Sequence, residues 1–221
     1  MLKVYGRANS INVRKVLWML DEVGEPWTRD DWGRGFRPTS EPEFQRLNPV
    51  GVVPVIDDDG FMLRESNTIV RYLANKHRRT DLYPAESQRR ATCEAWMDWA
   101  STDGYAGLRP VFHGLHLKNP AFGAKEIDAG IADWSKQMTV LNGQLSTGPV
   151  SAGPVSAGHA TAGQAFVAGP PFTVADIPVG LLVNRWFSID FKRPDLAAVA
   201  AYYERLGARP AFMTHGRNGT A

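Results

Sequence analysis

The stretch VVPVIDDDGFMLRESN, residues 52–67, constrains the architecture of this chain more than any other. Two apolar runs, VVPVIDD and GFMLRE, meet at DDDG, a turn-rich junction that predicts a β-hairpin. Pro54 removes a ladder N–H from the first run. It therefore argues against a central strand there and for an edge, a bulge or a cis turn. An edge would leave the N–H and C=O of Val53 free to pair with another extended peptide. The helical period then takes over at ESNTIVRYLANKH through Ile69, Tyr72 and Leu73. Ser66 is the expected N-cap of that helix. The free N–H groups of a helix start form an anion site suited to a carboxylate, and Glu65 beside it suits an ammonium. Together the two can grip the zwitterionic end of an amino acid or short peptide.

The residues before this stretch set the rest of the first unit. LKVYG reads as a short strand. Val13, Val16, Leu17, Leu20 and Val23 then recur at helical spacing, and Gly24 supplies the stop. EPWTRDDW returns to an extended pattern. The order β-α-β, hairpin, α predicts a small mixed sheet of four strands covered by helices. At the first strand-to-helix junction, RANSINVRK (residues 7–15) presents two small polar residues, Ser10 and Asn12. Either can cap the helix, and either can do chemistry.

From about residue 78 the character changes. RRTDLYPAESQRR is polar and contains Pro84. The expected organisation is a first domain over residues 1–76, a linker over 77–86 and an all-helical domain over 87–221. The helix candidates of the second domain lie in SQRRATCEAWMDWASTDGY, PAFGAKEIDAGIADWSKQMTVLNGQL, TVADIPVGLLVNRWF and PDLAAVAAYYERLGARP. GPVSA occurs twice in tandem, at 148–152 and 153–157. The surrounding Gly/Pro/Ala/Ser-rich segment, residues 146–165, is expected to be a low-complexity insertion without a packed core.

Composition excludes several classes. A net charge of +2, with basic and acidic residues interleaved, gives no footprint for nucleic acid or an anionic membrane. Cys93 is the single cysteine, so no intramolecular disulfide forms and cysteine-rich metal sites are absent. Within its helix it reads as inert. No His pair has a metal-ligand spacing, and no metal is assigned. MLKVYGRANS lacks the apolar run of a leader, and IPVGLLV is far short of the roughly 20 residues of a membrane span. A cytoplasmic protein is the expectation.

FTVADI, residues 172–177, carries a capping box. Thr173 is its expected N-cap and Asp176 lies three residues on, with Phe172 and Ile177 at the positions of a hydrophobic staple. Asp176 is thus a structural carboxylate. With this box beside LNPVGVVPVIDDDGFMLRESNTIVRYLA, the chain resembles the cytosolic glutathione S-transferases, in their bacterial, serine-type, theta-like or nu-like forms. The resemblance covers essentially everything except residues 147–165.

That resemblance implies a thioredoxin-like α/β N-terminal domain, an all-α C-terminal domain, glutathione as co-substrate and a homodimer. Val53, before Pro54, would pair with the cysteinyl backbone of glutathione, while Glu65 and Ser66 hold its γ-glutamyl end. Ser10 would stabilise the thiolate. Serine-type members place the hydroxyl four residues before a basic position, as Ser10 and Arg14 are, and some bacterial members use a Ser-x-Asn arrangement that brings in Asn12. Asn12 is then the expected helix cap and Ser10 the thiolate donor. Tyr5 lies within the strand, and the loop has no cysteine, so the tyrosine- and thiol-type mechanisms are not expected.

Val52 stands where many relatives carry a polar glutathione contact, which leaves Arg34 and Arg37 as candidates for the glycyl carboxylate. Trp32 either packs on the tripeptide or closes the domain interface. Asn48 either joins the same polar rim or serves the turn before Pro49. Tyr105, Arg109 and Phe112 are the candidates for the electrophile pocket, and Trp96 and Trp99 read as core. The expected activity is addition of glutathione to small hydrophobic electrophiles. The alternatives are a glutathione-dependent peroxidase or disulfide reductase, and a non-catalytic binding module.

Overall fold

The computed structural model describes residues 1–147 and 165–221. The expectation for the GPVSA repeat falls almost wholly outside the described residues.

The first strand, β1 (Leu2–Tyr5), alternates buried Leu2 and Val4 with half-exposed Lys3 and Tyr5, the period-2 signature of a sheet covered on one face. Helix α1 (Ile11–Val23) follows and ends at Gly24, whose φ of 68° is the left-handed conformation that glycine adopts at no steric penalty. The chain then returns as β2 (Trp27–Asp30), parallel to β1. The hairpin is β3 (Val55–Asp58) and β4 (Phe61–Arg64). Asp59 and Gly60 between them both have positive φ, 51° and 93°, the mirror-image turn that matches strand twist. The sheet order β2-β1-β3-β4, with β1 and β3 antiparallel, makes the mixed four-stranded thioredoxin-like sheet. A short α2 (Pro42–Leu47), with proline in its first turn, precedes the hairpin, and α3 (Ser66–Lys76) follows it.

Two details correct the expectations. The strand after Pro54 is central, lying between β1 and β4. Its ladder begins at Val55, so the missing N–H of Pro54 interrupts nothing, and the Val53–Pro54 bond is cis. The N-cap of α3 is Glu65, at φ 69°, and Ser66 is the first helical residue.

The C-terminal half is helical. It comprises α4 (Ser87–Ser101), α5 (Asp103–Ala106), α6 (Leu108–Val111) running into a π turn at Phe112–His116, and α7 (Ala124–Thr147). Beyond the undescribed segment come α8 (Asp176–Ser188), α9 (Ala197–Leu206) and α10 (Pro210–His215). Among the described residues no helix is long and apolar enough to cross a membrane.

One apolar core runs through both halves, because α1 packs against α3 on one side and against α8 and α10 on the other. Gly180 makes the α1–α8 approach possible, since a Cβ there would stand 3.1 Å from Trp18 and 2.7 Å from Leu206. Asp176, fully buried, accepts from the N–H groups of Val167 and Thr173 at 2.9 and 2.8 Å and from the Tyr202 hydroxyl at 3.0 Å. The Thr173 hydroxyl donates to the same carboxylate, and the N-cap of α8 is Ala175 rather than the expected Thr173, so only the bond from the Thr173 N–H to Asp176 matches the expected box. Burial pushes the Asp176 carboxyl up to about 6. Arg14 is also structural. Its guanidinium donates to the carbonyls of His215, Gly216 and Thr220 and pins the C-terminal segment to α1.

Candidate active site

Three backbone features meet at one cleft. The first is the loop from β1 into α1. Ser10, not Asn12, occupies the N-cap position, with φ −83° and ψ 125°. Its carbonyl accepts from the Arg14 N–H at 2.9 Å, yet its hydroxyl makes no capping bond. Ser10 is thus held by its backbone while its Oγ stays uncommitted at the edge of the cleft, where it is 8% exposed. Asn12 follows in the first turn of α1 and is solvent-exposed.

The second feature is the cis Val53–Pro54 turn. Neither the N–H nor the C=O of Val53 has a hydrogen-bond partner among the described residues, and Val53 lines the same cleft as Ser10. Asn48 builds this turn rather than the rim. It is fully buried, donates from Nδ2 to the Val52 carbonyl at 2.8 Å and accepts the Val50 N–H at 3.1 Å.

The third feature is the N-terminus of α3. The Ser66 hydroxyl donates to Asn12 Oδ1 at 3.4 Å, and Lys15 Nζ donates to Ser66 Oγ at 3.5 Å. The Glu65 side chain points outward, paired with Arg64 at 3.2 Å. Burial pushes the Lys15 ammonium down to about 8, with Arg185 adding to the shift and Glu65 opposing it.

The space between these features comprises two adjoining cavities that share Ile11, Asn12 and Tyr105. One, about 210 Å³, holds Lys15, Glu65 and Ser66. The other, about 340 Å³, holds Ser10, Arg34, Val53, Phe112 and Arg185. A larger hollow of about 490 Å³, between Phe187, Ala200 and Arg217, contains none of the candidate residues.

Of the remaining candidates, Arg34, Tyr105 and Phe112 line the cleft. Trp32 does not. It is fully buried in a small cluster with Phe44 and Val55, on neither the cleft nor the domain interface. Arg37 stacks on Trp32 at 3.8 Å and pairs with Glu41 and Glu43 at 3.0 and 2.5 Å, so its charge is spent locally. Arg109 lies 5.7 Å from the Phe122 ring and outside the cleft wall. Among the described residues no cluster of His, Cys, Asp and Glu suits a metal.

Sequence reasoning missed Arg7, Lys15, Thr39, His113 and Arg185, all of which line the two cavities. The one legible signal was Arg185, the lone cation in the mostly apolar helix DIPVGLLVNRWFS. Burial lowers its pKa and that of Arg7, and burial with Arg34, Arg109 and Arg185 nearby lowers that of His113.

An uncommitted hydroxyl at a helix start, a cis-proline peptide unpaired among the described residues and a second helix N-terminus thus meet on a thioredoxin-like sheet beside a helical bundle. The family model described as glutathione S-transferase, N-terminal domain, matches residues 9–76. The chain is 30% identical to glutathione S-transferase GstB of Escherichia coli over 214 residues, covering 96% of this chain and 95% of that one. It is 31% identical to glutathione S-transferase 3 of Zea mays, covering 96% and 91%. The crystal structure of a theta-class glutathione S-transferase from Xanthomonas axonopodis pv. citri, with glutathione bound, superposes with a TM-score of 0.85. The two are 32% identical, with 97% and 96% of the chains covered. The chain belongs to the glutathione S-transferase family.

Proposed function

We propose that this chain ionises the thiol of glutathione at Ser10 and transfers the thiolate to a small electrophile. The observation that carries this reading is the convergence of the free Ser10 hydroxyl, the unpaired Val53 peptide and the α3 N-terminus on one cleft. Val53 would pair with the cysteinyl backbone of glutathione. The γ-glutamyl carboxylate would lie against the first N–H groups of α3 and the Ser66 hydroxyl, with the Lys15 charge beneath and Glu65 near the ammonium. Arg34 and Thr39 would meet the glycyl carboxylate in place of the apolar Val52.

The chemistry needs no general base. A free thiol has a pKa near 8.5. A hydrogen bond to a charged acceptor is worth roughly 1.5–3 kcal/mol, which lowers that pKa by about one to two units. The positive end of α1 contributes about 0.3–1 kcal/mol more. Ser10 donates its proton to the sulfur and keeps it.

In this reading residues 77–86 join a glutathione-binding domain to a helical domain that supplies Tyr105 and Phe112 to the electrophile side. The working form is a homodimer in the cytoplasm, where glutathione is held reduced. Conjugation of glutathione to a chromogenic aryl halide by the purified protein tests the reading. No rate above the uncatalysed one would reject it. A second reading, reduction of a peroxide by two glutathiones to give the disulfide, an alcohol and water, is favoured by the position of Asn12 in both cavities. Formation of oxidised glutathione on addition of a hydroperoxide separates the two.

A further inference from the structure

The side of the cleft assigned above to the electrophile is strongly cationic. Beside Phe112 and Tyr105 stand Arg7, Arg34 and Arg185, and no carboxylate lines the cavity. Among the described residues none of these three arginines has an ion-pair partner. Arg185 is the most confined. It is 3% exposed, its guanidinium carbon lies over the Phe112 ring at 3.8 Å from the centroid, and its Nε has no hydrogen-bond partner among the described residues. The Tyr105 hydroxyl is its one side-chain polar partner among the described residues, and the cationic or titratable groups around it are Arg14, Arg7, Lys15, His113 and His116, none of them a carboxylate. Arg7 Nε is likewise buried without a partner.

A buried cation with no anion is a strongly unfavourable arrangement unless a ligand completes it. Glutathione brings two carboxylates, and both have nearer hosts. One belongs with Ser66 and Lys15, the other with Arg34 and Thr39 on the Val53 side. Arg185 comes from α8, on the helical half that in the transferase reading supplies the electrophile side.

We propose that the second substrate is a small electrophile bearing a carboxylate or similar anion, which docks on Arg185 with its apolar part against Phe112. This rests on the transferase reading above and specifies its substrate class. A planar guanidinium is suited to grip a carboxylate by two parallel hydrogen bonds, and the Phe112 ring beneath it limits where the group can move.

The test is a shape-matched pair that differs in charge, 4-chloro-3-nitrobenzoate and 4-chloro-3-nitrobenzamide. In each, the glutathione sulfur bonds to the ring carbon that bears chlorine. The C–Cl bond breaks, chloride leaves with the bonding pair and the thiol proton passes to solvent. A charge-assisted contact predicts that kcat/KM favours the benzoate by about ten- to a hundredfold, after correction for the uncatalysed rates. Arg185→Met should collapse that ratio towards one, and Arg185→Lys should restore part of it. A wild-type ratio near one overturns the proposal. So does a ratio that Arg185→Met leaves intact while both rates fall together, since Arg185 would then serve the thiolate.

Equilibrium binding keeps this separate from the transferase reading. Unreactive 3-nitrobenzoate should bind the glutathione-loaded protein more tightly than 3-nitrobenzamide even if neither chloride turns over. Equal binding overturns the anion site.

Discussion

The Ser66 hydroxyl reaches Asn12 Oδ1 at 3.4 Å and thereby ties the start of α3 to the start of α1. Two helix N-termini from separate parts of the chain thus open on one cleft, with Lys15 Nζ at 3.5 Å from Ser66 Oγ. The positive ends of both helices act on whatever anion lies between.

Replacing Ser66 with alanine removes a hydroxyl from the expected γ-glutamyl end and leaves Ser10 in place. The KM for glutathione should rise roughly tenfold while kcat changes by less than about threefold. Glu65→Ala should act in the same direction through the ammonium. Steady-state kinetics with glutathione varied checks both, and an unchanged KM would remove the clamp from the account.

Lys15 is buried without a carboxylate partner, and its folded-state pKa of about 8 lies below the ordinary 10.5. Above pH 8 the folded state gives up a proton that the unfolded chain still holds, so stability from this group rises with pH between 8 and 10.5. Below pH 8 the full penalty for burying the charge is present. Lys15→Met should therefore stabilise the glutathione-free protein at pH 7 by on the order of 1–3 kcal/mol. The advantage should shrink as pH approaches 10, and the variant should bind glutathione more weakly. Thermal melts of the two proteins at pH 7 and 9.5, with and without glutathione, read all three effects.

Asp176 is the opposite case, a buried carboxylate that works through structure alone. Asp176→Ala leaves the Val167 and Thr173 N–H groups without their acceptor and should destabilise the fold by about 2–4 kcal/mol. Urea unfolding measures the loss. Activity per folded molecule should be unchanged, and a specific fall in kcat would show that the box at α8 reaches the chemistry.

The sequence was legible where local rules decide the outcome. Gly24 ends α1, Asp59-Gly60 turns the hairpin, and the hydrophobic period changes at each strand-to-helix junction. The short helices α2 and α10 escaped because six residues do not complete an apolar period. Glu65 displaced Ser66 as the cap of α3 because a positive φ at a non-glycine residue is imposed by the sharp exit from β4.

At the cleft, Ser10, Val53 and Ser66 were singled out because each carries its signal in its immediate neighbours, and all three line it. Lys15 was not, because its place there arises only when α1 and α3 come together, and Arg185 showed in the sequence only as a lone cation in α8. Trp32 and Arg37 were misplaced for the same reason. They satisfy each other and Phe44, a packing that linear spacing does not report.

The central claim is that the Ser10 hydroxyl lowers the pKa of the bound thiol. The direct measurement is a thiolate absorbance titration of glutathione bound to the wild-type protein and to Ser10→Ala. The account predicts an apparent pKa about one to two units below 8.5 in the wild type and a return towards 8.5 in the variant, with glutathione affinity within a few fold. A bound thiol that titrates at the same pH in both proteins would contradict it.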